Sequence, residues 1–151
     1  FCSANLYQEN DMRFMVMVKA TKDSEAGVLP TEHEFAEMGQ FNEELVKAGI
    51  MEAGEGLKPS SQGARVAFSG KNRKVIDGPF TETKELVAGY WVLQTKTKAE
   101  VVEWIKRAPF MGGEEVEIRQ LFEVDEFAAS DPTGKLREQE VRLRETIASR
   151  S

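Results

Sequence analysis

At 151 residues, with 40% hydrophobic and 30% charged side chains, the chain has the size and composition of one compact domain able to bury roughly 70% of its unfolded surface. Twenty basic against twenty-six acidic residues leave it at −6, which argues against nucleic acid as a partner because affinity for a phosphate backbone is largely cationic. Cys2 is the only cysteine and His33 the only histidine, which excludes an internal disulfide and leaves no basis for a transition-metal site or a cofactor. Apolar stretches such as residues 14–18 are far shorter than the roughly 20 residues of a membrane-spanning helix, so no membrane partner and a cytoplasmic location are expected. Residues 1–11 lack a charged start followed by an apolar core, and Met12 is the first methionine; they read as an added or upstream segment, not a signal peptide.

From Arg13 to Lys19 both alternating sets are apolar, Phe14, Val16 and Val18 against Met15 and Met17, the pattern of a strand covered on two sides. Thr31 and Glu34 supply a capping box for a helix running to about Ala48, with Phe35, Met38, Leu45 and Val46 as its core stripe and Gly49 as its stop. Residues 50–57 read as a short strand ending in Gly54 and Gly56. Residues 64–68 and 73–76 flank a Ser69-Gly70-Lys71-Asn72 turn and form a hairpin. A strand over 89–95 follows, then a helix capped by Thr97 and Glu100, running to Ala108 and burying Val101, Val102, Trp104 and Ile105. A last strand over 115–124 places Val116, Ile118, Phe122 and Val124 on one face and Glu117, Arg119 and Glu123 on the other. Strand, helix, strands with an inserted hairpin, helix and strand is the split βαβ order of a ferredoxin-like α+β sheet. Two helices cover only one side of such a sheet, so Met15 and Met17 point to a homodimer. Asp131-Pro132 marks the start of a final charged helix over 133–149, thinly striped by Leu136, Leu143 and Ile147 and expected to dock on the body or a partner.

The most distinctive run is Asp77-Gly78-Pro79-Phe80, followed by Thr81-Glu82-Thr83-Lys84-Glu85. This motif, with residues 85–91, Met111-Gly112-Gly113 and Ile118-Arg119, resembles the DGPF branch of the YCII-related family over nearly all of residues 12–127, leaving 128–151 as a linker and charged helix. The resemblance implies a bacterial protomer that pairs into a dimeric α+β barrel, with a cleft beside the Asp-bearing loop. It says little about activity: most members are uncharacterised, a few relatives are small-molecule enzymes, and some members are linked to extracytoplasmic sigma factors.

Asp77 could move a proton if burial raised its pKa, or could fix the turn by accepting backbone N–H bonds. Lys84 could hold an anionic substrate, with Glu82 or Glu85 sharing proton transfer, or all three could label a solvated loop. His33 is helix-borne, as is a histidine in enzymes among the YCII relatives, although counting back from Ala53-Gly54 places that family position nearer Glu37; as the second residue of a capped helix, His33 otherwise faces solvent. Phe80, Tyr90 and Trp91 could line an apolar pocket or serve as core. Arg65 and Arg119 could grip a carboxylate or form strand-face ion pairs. Gly54-Glu55-Gly56 and Gly112-Gly113 lack the strand-to-helix setting of a phosphate loop. Two functions follow: binding of a small, possibly anionic ligand near the Asp-Gly-Pro-Phe loop, with acid–base catalysis as an extension, or a non-catalytic dimeric module that contacts transcription machinery.

Overall fold

A computed structural model describes residues 11–150; the expectation for residues 1–10 lies outside them. The chain divides between Gln120 and Leu121 into two compact units. The larger unit is built on a four-stranded antiparallel sheet, β1 (Met12–Lys19), β2 (Met51–Gly56), β5 (Val87–Thr95) and β6 (Val116–Gln120), in the spatial order β2-β5-β1-β6. Helices α2 (Glu32–Lys47) and α3 (Lys98–Ile105) make the two crossovers, and β3 (Ala64–Ser69) pairs with β4 (Asn72–Asp77) as a separate two-stranded sheet. The mixed α+β architecture and the inserted hairpin match the expected element order.

One face of the sheet carries the core. Phe14 and Val16 of β1, Trp91 and Leu93 of β5, Phe41 and Leu45 of α2, Val101 of α3 and Ile50 form one buried cluster. Two helix expectations need correction. Phe35 and Val46 are exposed, and Phe41 occupies the core position with Leu45. At about 100° per residue, Met38, Phe41 and Leu45 share one stripe, and Phe35 and Val46 fall to its flank. In α3 only Val101 is fully buried, with Trp104 and Ile105 packed at its edge. On the opposite sheet face Met15 faces Val92 and Arg119, and Met17 faces Tyr90 and Glu117. These two methionines, Tyr90 and Val92 are half-buried.

The hydroxyl half of both expected capping boxes forms, Thr31 Oγ1 accepting from Glu34 N at 3.1 Å and Thr97 Oγ1 from Glu100 N at 3.2 Å. A complete box lies where the sequence reading placed none: Thr21 and Ser24 bond reciprocally to start the one-turn helix α1 (Lys22–Glu25).

The last strand stops four residues early, at Gln120. In the second unit Glu123 and Glu126 cap a 3-10 segment, Val124–Ser130, and Phe122 packs on Phe127 with ring centroids 5.2 Å apart. Local capping and aromatic contact thus outcompete strand alternation. Helix α4 spans Lys135–Ala148, not 133–149. Asp131 to Gly134 closes as a turn through Gly134 N–H to the Asp131 carbonyl, and Gly134 takes the cap position at φ +78°, a conformation glycine adopts without side-chain strain. Asp131 still supplies the cap, accepting from Arg137 N at 2.9 Å and Leu136 N at 3.3 Å, with Arg137 Nε at 3.2 Å. These bonds, led by that from the Arg137 backbone, hold the Asp131 carboxyl below its ordinary value. Leu136, Leu143 and Ile147 are each more than half exposed.

Candidate functional site

A cavity of about 230 Å³ lies beside the end of β2 in the larger unit. Its lining joins residues with little or no side chain, Gly54 and Gly56 of β2 and Ala88 and Gly89 of β5, to Trp91, the cross-strand neighbour of Gly54, to Val18 of β1, to Met38 and Asn42 of α2, and to Phe110. Gly54 and Gly89 are demanded by close approach, whereas Gly56 has nothing within 4 Å of a would-be Cβ. A Cβ on Gly54 would lie 2.9 Å from Trp91 Cδ1 and 2.7 Å from Met51 Cε, and one on Gly89 would lie 3.0 Å from the Glu55 carbonyl oxygen. The indole of Trp91 is held from several sides. Its Nε1–H donates to Asn42 Oδ1 at 2.8 Å, it meets Phe41 edge-on at 5.9 Å, and it tilts against Phe110 at 6.3 Å. Glu55 and Tyr90 also line the space, giving an apolar pocket with few polar groups, the usual make-up of a small-molecule site.

The Asp-Gly-Pro-Phe loop is organised differently. Ser60 N and Ser60 Oγ both donate to the Glu25 carboxylate, and Ser60 Oγ accepts from Phe80 N at 3.0 Å. The Ser60 hydroxyl, then its backbone N–H, lower the pKa of Glu25. Gly78 N–H donates to the Gly63 carbonyl, and a Cβ on Gly78 would fall 1.7 Å from the Ser60 carbonyl oxygen. Backbone against backbone leaves no room there for any other residue. The motif therefore clamps the root of the β3–β4 hairpin onto the Pro59–Gly63 turn and α1.

The sequence-derived candidates separate on this framework. Asp77 ends β4 opposite Ala64 and is exposed. Arg65 and Phe80 are brought together, the guanidinium 3.8 Å from the ring centroid, as a stacked pair. Glu82 and Glu85 are exposed around the 3-10 turn Thr83–Glu85. Lys84 lines a different cavity, of about 320 Å³, with Lys19, Lys22 and Glu114. His33 bonds Glu37 at 2.9 Å with 81% of its side chain exposed, the solvated reading of that residue. Arg119 is exposed on the far sheet face beside Met15. Of the candidate pocket residues, Tyr90 and Trp91 line the glycine-rich cavity and Phe80 does not. Met38 was expected only as helix core, and Asn42 and Phe110 went unnoticed in the sequence, where a helix-face polar residue and a post-helix phenylalanine carry no distinguishing pattern; Gly54 and Gly56, inside a strand, were the available signal of a missing side-chain layer. Among the described residues no group of three or more His, Cys, Asp or Glu side chains converges to hold a metal ion, and no helix is long and apolar enough to cross a membrane.

Compared with known families, residues 12–125 match the YCII-related domain. No curated protein matches the chain.

Proposed function

From the premise that the chain belongs to the YCII-related domain family, we propose that it binds a small, mainly apolar ligand in the cavity between Gly54, Gly89, Trp91 and Phe110, as a homodimer with a ferredoxin-like protomer. The single carrying observation is that cavity, lined by glycines and by an immobilised indole. Its volume of about 230 Å³ exceeds the roughly 150 Å³ of an apolar cavity that takes up benzene and falls below the roughly 300 Å³ at which drug-sized pockets begin. A substituted single ring or an indole is the size class that fits. The lining carries Glu55 and neither lysine nor arginine, which favours a neutral or hydrogen-bond-donating ligand over an anion at this position. Acid–base chemistry by Asp77, Lys84 or His33 is not part of this reading, because these groups are exposed and sit in separate surroundings.

The Asp77-Gly78-Pro79-Phe80 sequence supports placement in the DGPF branch. The strand order β2-β5-β1-β6 with antiparallel neighbours supports the ferredoxin-like protomer. The half-buried strip of Met15, Met17, Tyr90 and Val92 supports pairing across the helix-free face, which would enclose it as a dimeric α+β barrel. The reading as a non-catalytic interaction module draws on a separate observation, the exposed β3–β4 hairpin.

Thermal melting with indole, phenol and benzoate as probes tests the binding reading. A ligand at one hundred times its Kd stabilises by about 2.7 kcal/mol, so indole or phenol raises the melting temperature and quenches Trp91, while benzoate at equal concentration does neither. Equal response to all three, or response unchanged in Asn42→Ala, would assign binding elsewhere.

A further inference from the structure

The β3–β4 hairpin forms a two-stranded sheet every residue of which is exposed. Isolated hairpins are marginal in water without something packed on a face. Cross-strand pairing puts Arg65 and Ile76 on one face and Val66, Val75, Phe68 and Arg73 on the other. The first face is anchored, since Arg65 stacks on Phe80 of the clamped loop. The second is an apolar strip with Val66 50%, Phe68 70% and Val75 65% exposed, and Arg73 lies 4.6 Å over the Phe68 ring. Arg65, Lys71, Arg73 and Lys74 against Asp77 leave residues 64–77 at +3 in a chain of −6, so −9 lies elsewhere.

A complementary surface lies on α2. Phe35, 69% exposed, and Val46, 60% exposed, fall with Gly39 within an arc of about 40°. Glu32 and Glu43 border that arc, Glu43 paired with Lys47 at 3.2 Å. Gly39 sits inside the helix with nothing within 4 Å of a would-be Cβ. Alanine there would favour the helix, so an exposed mid-helix glycine fits close approach by another backbone. Asn42, which lines the cavity, lies about 60° from Gly39 around the helix, whereas Met38 is turned about 100° away, onto the core stripe.

We infer that the hairpin is an arm that docks on the Phe35–Gly39–Val46 stripe of a second copy, apolar strip to apolar stripe and Lys71 and Arg73 toward Glu32 and Glu43. Six residues of extended strand reach about 20 Å, twice the roughly 10 Å between packed sheets, so an arm can pass a partner's sheet to its helix layer. In a two-fold dimer each arm serves the other copy. The inference rests on the dimer reading above.

Charge exchange separates the two. The parent chain, Lys71→Glu/Arg73→Glu and Glu32→Lys/Glu43→Lys are compared by sedimentation velocity at micromolar concentration. Each variant alone places like charges at the contact and should weaken dimerisation tenfold or more. An equimolar mixture restores attraction at both contacts and should dimerise as the parent does. Gly39→Leu, which raises helix propensity, should likewise weaken the dimer. A monomeric parent would overturn both the dimer and the arm. A dimeric parent whose variants dimerise equally well, or whose weakened variants are not rescued on mixing, would overturn the arm alone.

Discussion

Gly54→Ala is the sharpest perturbation of the candidate site. The added methyl would stand 2.7 Å from Met51 Cε and 2.9 Å from Trp91 Cδ1, well inside the 3.5–4.0 Å of a relaxed carbon contact. Met51 can move its terminal methyl at little cost, being flexible and half-buried. Trp91 cannot move so freely: it is 5% exposed, bonded to Asn42 and packed on Phe41 and Phe110. Overpacking of this kind costs about 1–3 kcal/mol, which for a unit of this size lowers the melting temperature by roughly 4–12 °C. The methyl, or the displaced indole, also occupies part of the roughly 230 Å³ cavity, so indole should bind at least tenfold more weakly. Calorimetric melting and titration with indole, followed in a Trp104→Phe background that leaves Trp91 as the reporter, measure both effects. Unchanged melting together with unchanged indole affinity would refute the assignment of Gly54 as a close-approach residue and of this cavity as the site.

Leu45→Ala removes a fully buried side chain at the centre of the core and should destabilise by about 2–5 kcal/mol in denaturant unfolding, with an unchanged denaturant slope. Ser60→Ala removes both the donor to Glu25 and the acceptor for Phe80 N–H, so amide exchange at Phe80 should accelerate and the Glu25 carboxyl, followed by NMR titration, should titrate at higher pH than in the parent. The Asp131 carboxyl is held below its ordinary value near 3.8; the stability it confers is present above that value and is lost as pH falls through the depressed folded-state pKa. Helix signal from residues 135–148 should therefore decline below about pH 4, and Asp131→Asn should flatten that decline.

The local start and stop chemistry was legible in the chain. Thr31, Thr97, Gly49 and the Ser69–Asn72 turn act through neighbours within a few residues, so their geometry follows from sequence spacing alone. Strand alternation in residues 13–19 likewise separated Phe14 and Val16 from Met15 and Met17 because side chains switch faces at every residue. The limits appear where several faces compete. Phe35 and Phe41 are equally apolar, and only the direction from which the sheet meets α2 made Phe41 core and left Phe35 exposed. The end of β6 depended on Phe127, five residues beyond Phe122. The site was the least legible element: the conspicuous charges of the sequence, Asp77, Lys84 and His33, lie exposed and outside it, whereas its lining comes from residues spread from Val18 to Phe110 whose meeting exists only once β5 has inserted beside β2. By itself the sequence determined the order of the main elements and the caps at Thr31 and Thr97, because those interactions span a turn or less; the tertiary structure alone decided which apolar face is buried and where a glycine leaves a cavity, because both depend on contacts between segments distant in the chain.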